Sequence, residues 1–108
     1  MKLLIIKYNL SGNKYVINVN DIKRIDYISA KASAEINEEM KIFYSKKDFV
    51  FIEDNPVIKN PFAIKCFNKD KTTKYDHTEV DNLSEIFDDI INFCIEKDTG
   101  ILIIEIKR

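Results

Sequence analysis

Apolar residues follow two different spacings along this sequence, and the change between them constrains the fold more than any other feature. Up to about residue 75, apolar side chains recur mainly at every second position, as they do in half-buried strands. Residues 80–94 instead place them three or four positions apart, which is the period of an amphipathic helix. The pattern predicts an α+β fold: an antiparallel sheet built from hairpins, packed by one long amphipathic helix near the C-terminus and closed by a final strand.

The alternating regions divide into hairpins at residues that favour turns. Ser11, Gly12 and Asn13 separate the first two strands, and Gly and Asn tolerate the backbone angles that a tight turn requires. The predicted strands are, in order, residues 3–10, 15–20, 41–44, 49–53, 62–67, 72–75 and 101–106. Residues 30–37 alternate Ala with polar residues, but Ala and Glu favour helix, so we interpret this segment as a weak edge strand or an exposed excursion.

The predicted helix carries an apolar stripe and its own start and stop signals. The stripe consists of Val80, Leu83, Phe87, Ile90, Ile91 and Cys94, with Ile86 beside it. Asn82 is placed to cap the N-terminus and Glu85 follows three residues later, which is the capping-box spacing. Lys97 in the last turn and Gly100 just beyond it predict the C-terminal end.

Composition narrows the class of protein. A chain of 108 residues with 45% hydrophobic residues is expected to fold as a single domain spanning residues 1–108, and it is not an intrinsically disordered chain. Its 17 Lys and Arg residues balance 18 Asp and Glu residues, so it lacks the overall positive charge of most nucleic-acid-binding proteins. Ile, Lys and Asn, which have AT-rich codons, make up 44 residues, and we therefore expect a low-GC bacterium, its phage or a mobile element as the source.

The sequence also indicates a compartment. The short apolar run after Lys2 ends at Lys7, before it reaches the length of a secretory signal, and no run is long enough for a membrane span. The two cysteines are too few for a disulfide framework. We therefore expect a cytoplasmic protein with reduced thiols and no membrane partner.

Little in the sequence supports catalysis. His77 is the single histidine, and its neighbour Asp76 would point to the opposite face of an extended segment, so we interpret His77 as a surface or capping residue. Cys66 and Cys94 fall on apolar faces and are interpreted as core residues. Glycine-rich phosphate loops and metal-ligand spacings are absent from the sequence. We expect no enzymatic activity, no cofactor and no metal site.

Acidic residues concentrate on the predicted helix. Seven acidic residues and no Lys or Arg lie between Tyr75 and Lys97. On a helix, a continuous stripe opposite the apolar face consists of Asp81, Glu85, Asp88, Asn92 and Glu96, with Asp89 beside it. The candidate partner-binding residues are its acids and their neighbour: Asp81, Glu85, Asp88, Asp89 and Glu96. A solvated helix face usually mixes charges of both signs. The stripe is either such a solvated face or an acidic surface that binds a protein with a basic surface.

Basic residues concentrate on the third predicted hairpin, formed by strands 62–67 and 72–75, and on the segment just before it. The candidate nucleic-acid-binding residues are Lys59, Lys65, Lys69, Lys71 and Lys74, with Phe62, Phe67 and Tyr75 among them. Lysines with interleaved aromatics on a sheet can bind single-stranded nucleic acid, but lysines on an edge hairpin also prevent unwanted strand pairing.

Together these features predict a small non-enzymatic binding protein that acts through its surface on another macromolecule. Its most specific form is a phage or mobile-element inhibitor of a host protein that handles nucleic acid. The alternative is a nucleic-acid-binding module that uses the Lys/aromatic hairpin.

Overall fold

The computed structural model describes residues 1–29, 37–54 and 57–107, and it confirms the α+β fold. The elements are β1 (Leu3–Tyr8), β2 (Lys14–Asn18), a 3-10 turn (Val19–Asp21), β3 (Arg24–Ile28), β4 (Glu39–Phe43), β5 (Phe49–Glu53), β6 (Phe62–Asn68), β7 (Thr73–Val80), α1 (Leu83–Ile95) and β8 (Thr99–Ile106). The three predicted hairpins and the closing strand are therefore present. Residues 30–36 of the ambiguous segment lie outside the described residues, and Asn37 leads into β4.

The strands form two sheets rather than one. A five-stranded larger sheet has the order β2-β1-β8-β6-β7, and a three-stranded smaller sheet has the order β3-β4-β5. The closing strand β8 lies between β1 and β6, where it runs parallel to β1 and antiparallel to β6. The larger sheet is therefore mixed, which the hairpin pattern did not predict, because a parallel pair joins strands that are distant in sequence.

One apolar core connects all the layers. The inner face of the larger sheet contributes Leu4, Ile6, Ile64, Leu102 and Ile104; the smaller sheet contributes Met40, Ile42, Val50 and Ile52; and the helix contributes Leu83, Ile86, Ile90 and Phe93. The helix and the smaller sheet thus share the inner face of the larger sheet. Strand alternation determines which side chains enter this core, since successive side chains of a strand point to opposite faces.

The ends of the helix differ from the sequence prediction. Val80 belongs to the end of β7 rather than to the helix, and the helix ends at Ile95, before Lys97. Gly100 lies inside β8 instead of ending the helix, and its Cα packs against the β6–β7 hairpin, so that a side-chain carbon there would stand 3.4 Å from the Asn68 carbonyl oxygen. The prediction that Lys97 lies in the last helical turn and that Gly100 ends the helix is therefore wrong, because the helix already ends with a C-cap at Glu96.

Candidate functional site

The helix that carries the candidate acidic residues begins with a side-chain cap at Asn82. The Asn82 side-chain oxygen accepts hydrogen bonds from the Glu85 backbone N–H at 3.0 Å and from the Ser84 hydroxyl at 2.6 Å. The Asn82 amide also donates to the Glu85 carboxylate at 3.3 Å. The predicted N-cap is confirmed, and it satisfies a backbone N–H of the first turn, so that the helix begins at Leu83.

Three acids on α1 form a compact group, which we call the acidic face: Glu85, Asp88 and Asp89. Residues three and four apart are neighbours on a helix, so Glu85 lies beside both of the others. Glu85 and Asp88 are exposed, and Asp89 is half-buried. No ion pair within the described residues reaches any of the three. Burial raises the pKa of the Asp89 carboxyl above its ordinary value, and repulsion from Glu85 and then Asp88 raises that pKa further.

The other two predicted acids lie beyond the helix ends and already have partners. Asp81 precedes the N-cap, and its carboxylate accepts a hydrogen bond from the Asn60 backbone N–H at 3.0 Å. Glu96 follows the last helical residue and forms an ion pair with Lys74 of β7. The continuous five-residue stripe predicted from the sequence is therefore shorter in the structure, and the acidic face is the group of acids that lies within the helix.

The helix receives its C-terminal cation from the other end of the chain. The Lys2 ammonium donates to the carbonyl oxygens of Phe93, at 2.7 Å, and Cys94, at 3.2 Å, and also to that of Glu96. These carbonyls have no partner inside the helix, and a positive charge there stabilises the negative end of the helix dipole. The sequence assigned this role to Lys97, since the helical pattern gives no information on residues that are distant in sequence.

The apolar face of α1 is rotated from the predicted one. Phe93 is buried, whereas Cys94 and Phe87 are half-buried at the margin of the core. Cys66 is buried, as predicted, with an exposed fraction of 1%. Burial raises the pKa of both thiols, although the positive charge of Lys2 lowers that of Cys94 in part. Neither cysteine therefore has the electropositive setting of a catalytic thiolate.

A cleft of about 360 Å³ lies between β7 and the helix, beside the acidic face. Its lining includes Tyr75 and Thr78 from the strand and Glu85 and Asp89 from the helix. Burial raises the pKa of the Tyr75 hydroxyl well above its ordinary value, and repulsion from the Cys66 thiolate that would form at high pH and from the Asp89 carboxylate adds to that effect. Glu79 also lines the cleft, but its carboxylate already pairs with Lys107. The cleft thus combines an aromatic ring with two carboxylates that form no ion pair with a described residue, groups that attract a cationic side chain. Sequence reasoning placed Tyr75 with the lysines and missed this contact, because the length of β7 was underestimated.

The five lysines of the alternative site are not brought onto one surface. Lys65 forms an ion pair with Asp76 at 3.4 Å, and Lys74 pairs with Glu96 near the helix. Lys69 and Lys71 are exposed in the β6–β7 turn, whereas Lys59 lies beyond the opposite end of β6. Of the aromatic residues, Phe62 is fully buried in the core, Tyr75 lines the acidic cleft, and Phe67 is half-buried.

His77 is exposed, but the backbone around it differs from the extended segment assumed above. Its φ of 48° is in the left-handed region, where Asn, Asp and His are the most frequent residues other than Gly. The pairing of β7 with β6 shifts by one residue between Tyr75 and Thr78, so Asp76 and His77 form a bulge. Bulges re-aim side chains and interrupt strand edges, and this one interrupts the free edge of β7.

A polar contact that the sequence did not single out joins the smaller sheet to the helix. The Tyr27 ring stacks on Phe87 with 4.9 Å between ring centroids. Burial raises the pKa of Tyr27 to about 12, and its hydrogen bond with Glu38 contributes in the same direction, whereas that with Ser84 lowers it. The other carboxylate oxygen of Glu38 is buried without a hydrogen-bond partner among the described residues. This group contains no paired base and nucleophile.

Across residues 1–29, 37–54 and 57–107, no group of three or more His, Cys, Asp or Glu side chains is arranged to hold a metal ion. Within the same ranges, no helix has the length and apolar character needed to span a bilayer. No protein-family model, curated protein sequence or solved structure matches the chain.

Proposed function

We propose that this protein is a non-enzymatic binding protein whose acidic face and adjoining cleft bind a basic surface of another protein. The observation that carries the proposal is that Glu85, Asp88 and Asp89 lie within one helical turn and have no ion pair within the described chain. Like charges at this spacing destabilise a helix by about 0.2–0.5 kcal/mol per pair. A cationic partner relieves that repulsion, so the arrangement favours binding over the stability of the free protein.

The cleft beside the acidic face also favours a particular kind of side chain on the partner. Its Tyr75 wall and the two carboxylates at its rim suit a single Lys or Arg side chain that enters between β7 and the helix. Basic surfaces of this kind are common on proteins that hold nucleic acid. We therefore infer an inhibitor or modulator of such a host protein, acting in the cytoplasm of a low-GC bacterium and encoded by a phage or mobile element.

The test is a capture experiment from an extract of the native host with two matched variants. The double variant Glu85→Lys/Asp88→Lys reverses two exposed acids of the acidic face. The control Asp21→Lys/Asp98→Lys makes the same change in net charge at two exposed positions elsewhere. We expect a basic protein to be captured by the wild type and the control but lost with the double variant, and to elute as salt is raised from about 50 to about 500 mM. Equal capture by the double variant and the control would refute the proposal.

The alternative, a nucleic-acid-binding module, is favoured by the exposure of Lys69 and Lys71 beside the half-buried Phe67. It predicts binding of single-stranded DNA that Lys69→Glu/Lys71→Glu abolishes and that Glu85→Lys/Asp88→Lys leaves intact. The proposal above predicts no such retention on single-stranded DNA at moderate salt.

A further inference from the structure

The two central strands of the larger sheet are apolar on both faces. β1 reads LLIIKY and β8 reads TGILIIEI, and such nearly continuous runs are typical of strands buried on both sides. On the inner face, Leu4, Ile6, Leu102 and Ile104 are fully buried under the helix and the smaller sheet. On the outer face, the intervening side chains are only partly buried, and no described helix or strand packs over them.

The outer side chains form one continuous surface, because the strand registers place them side by side. Leu3 lies beside Ile101, which lies beside Phe67 of β6. In the next row, Val16 of β2 lies beside Ile5, and Ile5 lies beside Ile103. We call these six residues the outer patch: Leu3, Ile5, Val16, Phe67, Ile101 and Ile103. Val16 has 57% of its surface exposed.

We propose that the outer patch binds a second copy of this chain, forming a symmetric homodimer in which the two larger sheets pack face to face. Sheets that pack in this way keep their strand directions within about 30° of each other. A two-fold axis that runs along the strands, between β1 and β8, satisfies this condition. It places Leu3 against Ile101 of the second copy and Ile5 against Ile103 of the second copy, so that the apolar residues of the two central strands meet each other, while Val16 and Phe67 lie at the margin of the contact.

The charged row of the same face selects this axis. Lys7 and Glu105 are register neighbours on the outer face, one row beyond Ile5 and Ile103, and neither forms an ion pair with a described residue. The proposed axis places each Lys7 against Glu105 of the second copy, which creates two ion pairs of opposite charge. An axis across the strands would instead place the charged row on an apolar row, at the cost of desolvating unpaired charges.

The size of the face is consistent with a reversible dimer. About this axis four strands of each copy overlap (β2, β1, β8 and β6), and at about 4.8 Å between strands and about 3.3 Å for each of six residues they cover about 380 Å² per copy. The total of about 760 Å² is smaller than the roughly 1,000 Å² of a stable specific interface, so we expect a weak dimer that forms at high protein concentration. The acidic face lies on the opposite side of the larger sheet, so both copies would keep it accessible in the dimer.

Sedimentation equilibrium of the purified chain from about 5 to about 500 µM tests the proposal, since mass action makes a dimer depend on concentration. We expect the apparent mass to rise from 12.7 kDa toward twice that value. Ile103→Glu should raise the dimer dissociation constant by about 10-fold or more, because it places a carboxylate against Ile5 of the second copy. In the monomer the new carboxylate lies beside Lys65, its register neighbour on β6. The control is Ile28→Lys on exposed β3, where the new cation lies beside Glu39.

Charge reversal distinguishes self-association in this geometry from any other occupant of the patch. Lys7→Glu and Glu105→Lys should each raise the dissociation constant by about 10-fold, since each homodimer then contains two like-charge contacts. An equimolar mixture of the two variants should dimerise again, because each new charge meets its opposite in the other variant. Circular dichroism shows whether each variant is folded. A wild-type chain that stays monomeric at about 500 µM, a dimer unaffected by Ile103→Glu, or a mixture no stronger than the separate variants would overturn the proposal.

Discussion

Replacing Lys2 by Met tests the contact between the N-terminal end of the chain and the C-terminal end of the helix. The ammonium of Lys2 donates to three main-chain carbonyls at the end of α1, and it also lies 5.5 Å from the centre of the Phe93 ring. Met keeps most of the aliphatic stem but removes the charge and every donor. A cation at a partly buried helix C-terminus contributes up to about 2 kcal/mol, and charged hydrogen bonds contribute about 1.5–3 kcal/mol. These effects overlap, so we expect Lys2→Met to lower the free energy of unfolding by about 2 kcal/mol.

The assay is urea unfolding followed by circular dichroism, together with a thermal scan. A loss of about 2 kcal/mol corresponds to a fall in Tm of about 10 °C for a domain of this size. The control is Lys14→Met, since the Lys14 side chain is exposed on β2 and its ammonium makes no hydrogen bond or ion pair with a described residue. A change smaller than about 0.5 kcal/mol, or one equal to that of the control, would show that the Thr99 hydroxyl, which also donates to the Phe93 and Glu96 carbonyls, and solvent satisfy the helix end without Lys2.

Three further predictions concern single side chains. Because its folded-state pKa is raised, the ionisation of Asp89 weakens folding as pH rises through the acidic range. Asp89→Asn should therefore raise the free energy of unfolding by about 0.5 kcal/mol at pH 7 and leave it unchanged near pH 3, as measured by urea unfolding at both pH values. Cys94 should react with a thiol reagent before Cys66 in the native protein, and both more slowly than in urea; mass spectrometry of the labelled peptides would contradict this if Cys66 reacted first. His77→Val should cost about 1–2 kcal/mol, whereas His77→Gly should cost little, because a β-branched residue is strained at φ 48°; equal Tm values for the two variants would argue against the bulge.

The helix that carries the candidate site could be predicted from the sequence better than the residues that meet it from other elements. The cap at Asn82 and the exposure of Glu85 and Asp88 follow from helical periodicity and local hydrogen bonding, both of which depend on a few neighbouring residues. The ion pair of Glu96 could not be predicted in this way, because its partner Lys74 belongs to β7. The cleft beside Asp89 could not be predicted either, because part of its wall is formed by residues of β7 beyond the predicted end of that strand at residue 75.

The local apolar pattern could not predict which face of the helix is turned most directly to the core. Phe93 and Cys94 are adjacent in sequence and both apolar, so the pattern alone permits either of them at the centre of the buried stripe. The structure buries Phe93, because the larger side chain removes more apolar surface from water when it faces the sheet.

The sequence by itself determined that this chain forms a series of hairpin strands followed by one capped helix and a closing strand. These features depend on neighbouring residues, because they follow from an apolar period of two or of 3.6 residues and from a local cap. Only the tertiary structure decided that β8 enters between β1 and β6, that the strands divide into two sheets, and that Lys2 closes the helix 91 residues away. The physical reason is that side-chain alternation specifies which face of a strand is buried but not which strand lies beside it. That choice minimises the exposed apolar surface of the whole chain at once, and it satisfies backbone groups with whichever distant donors the packing brings near.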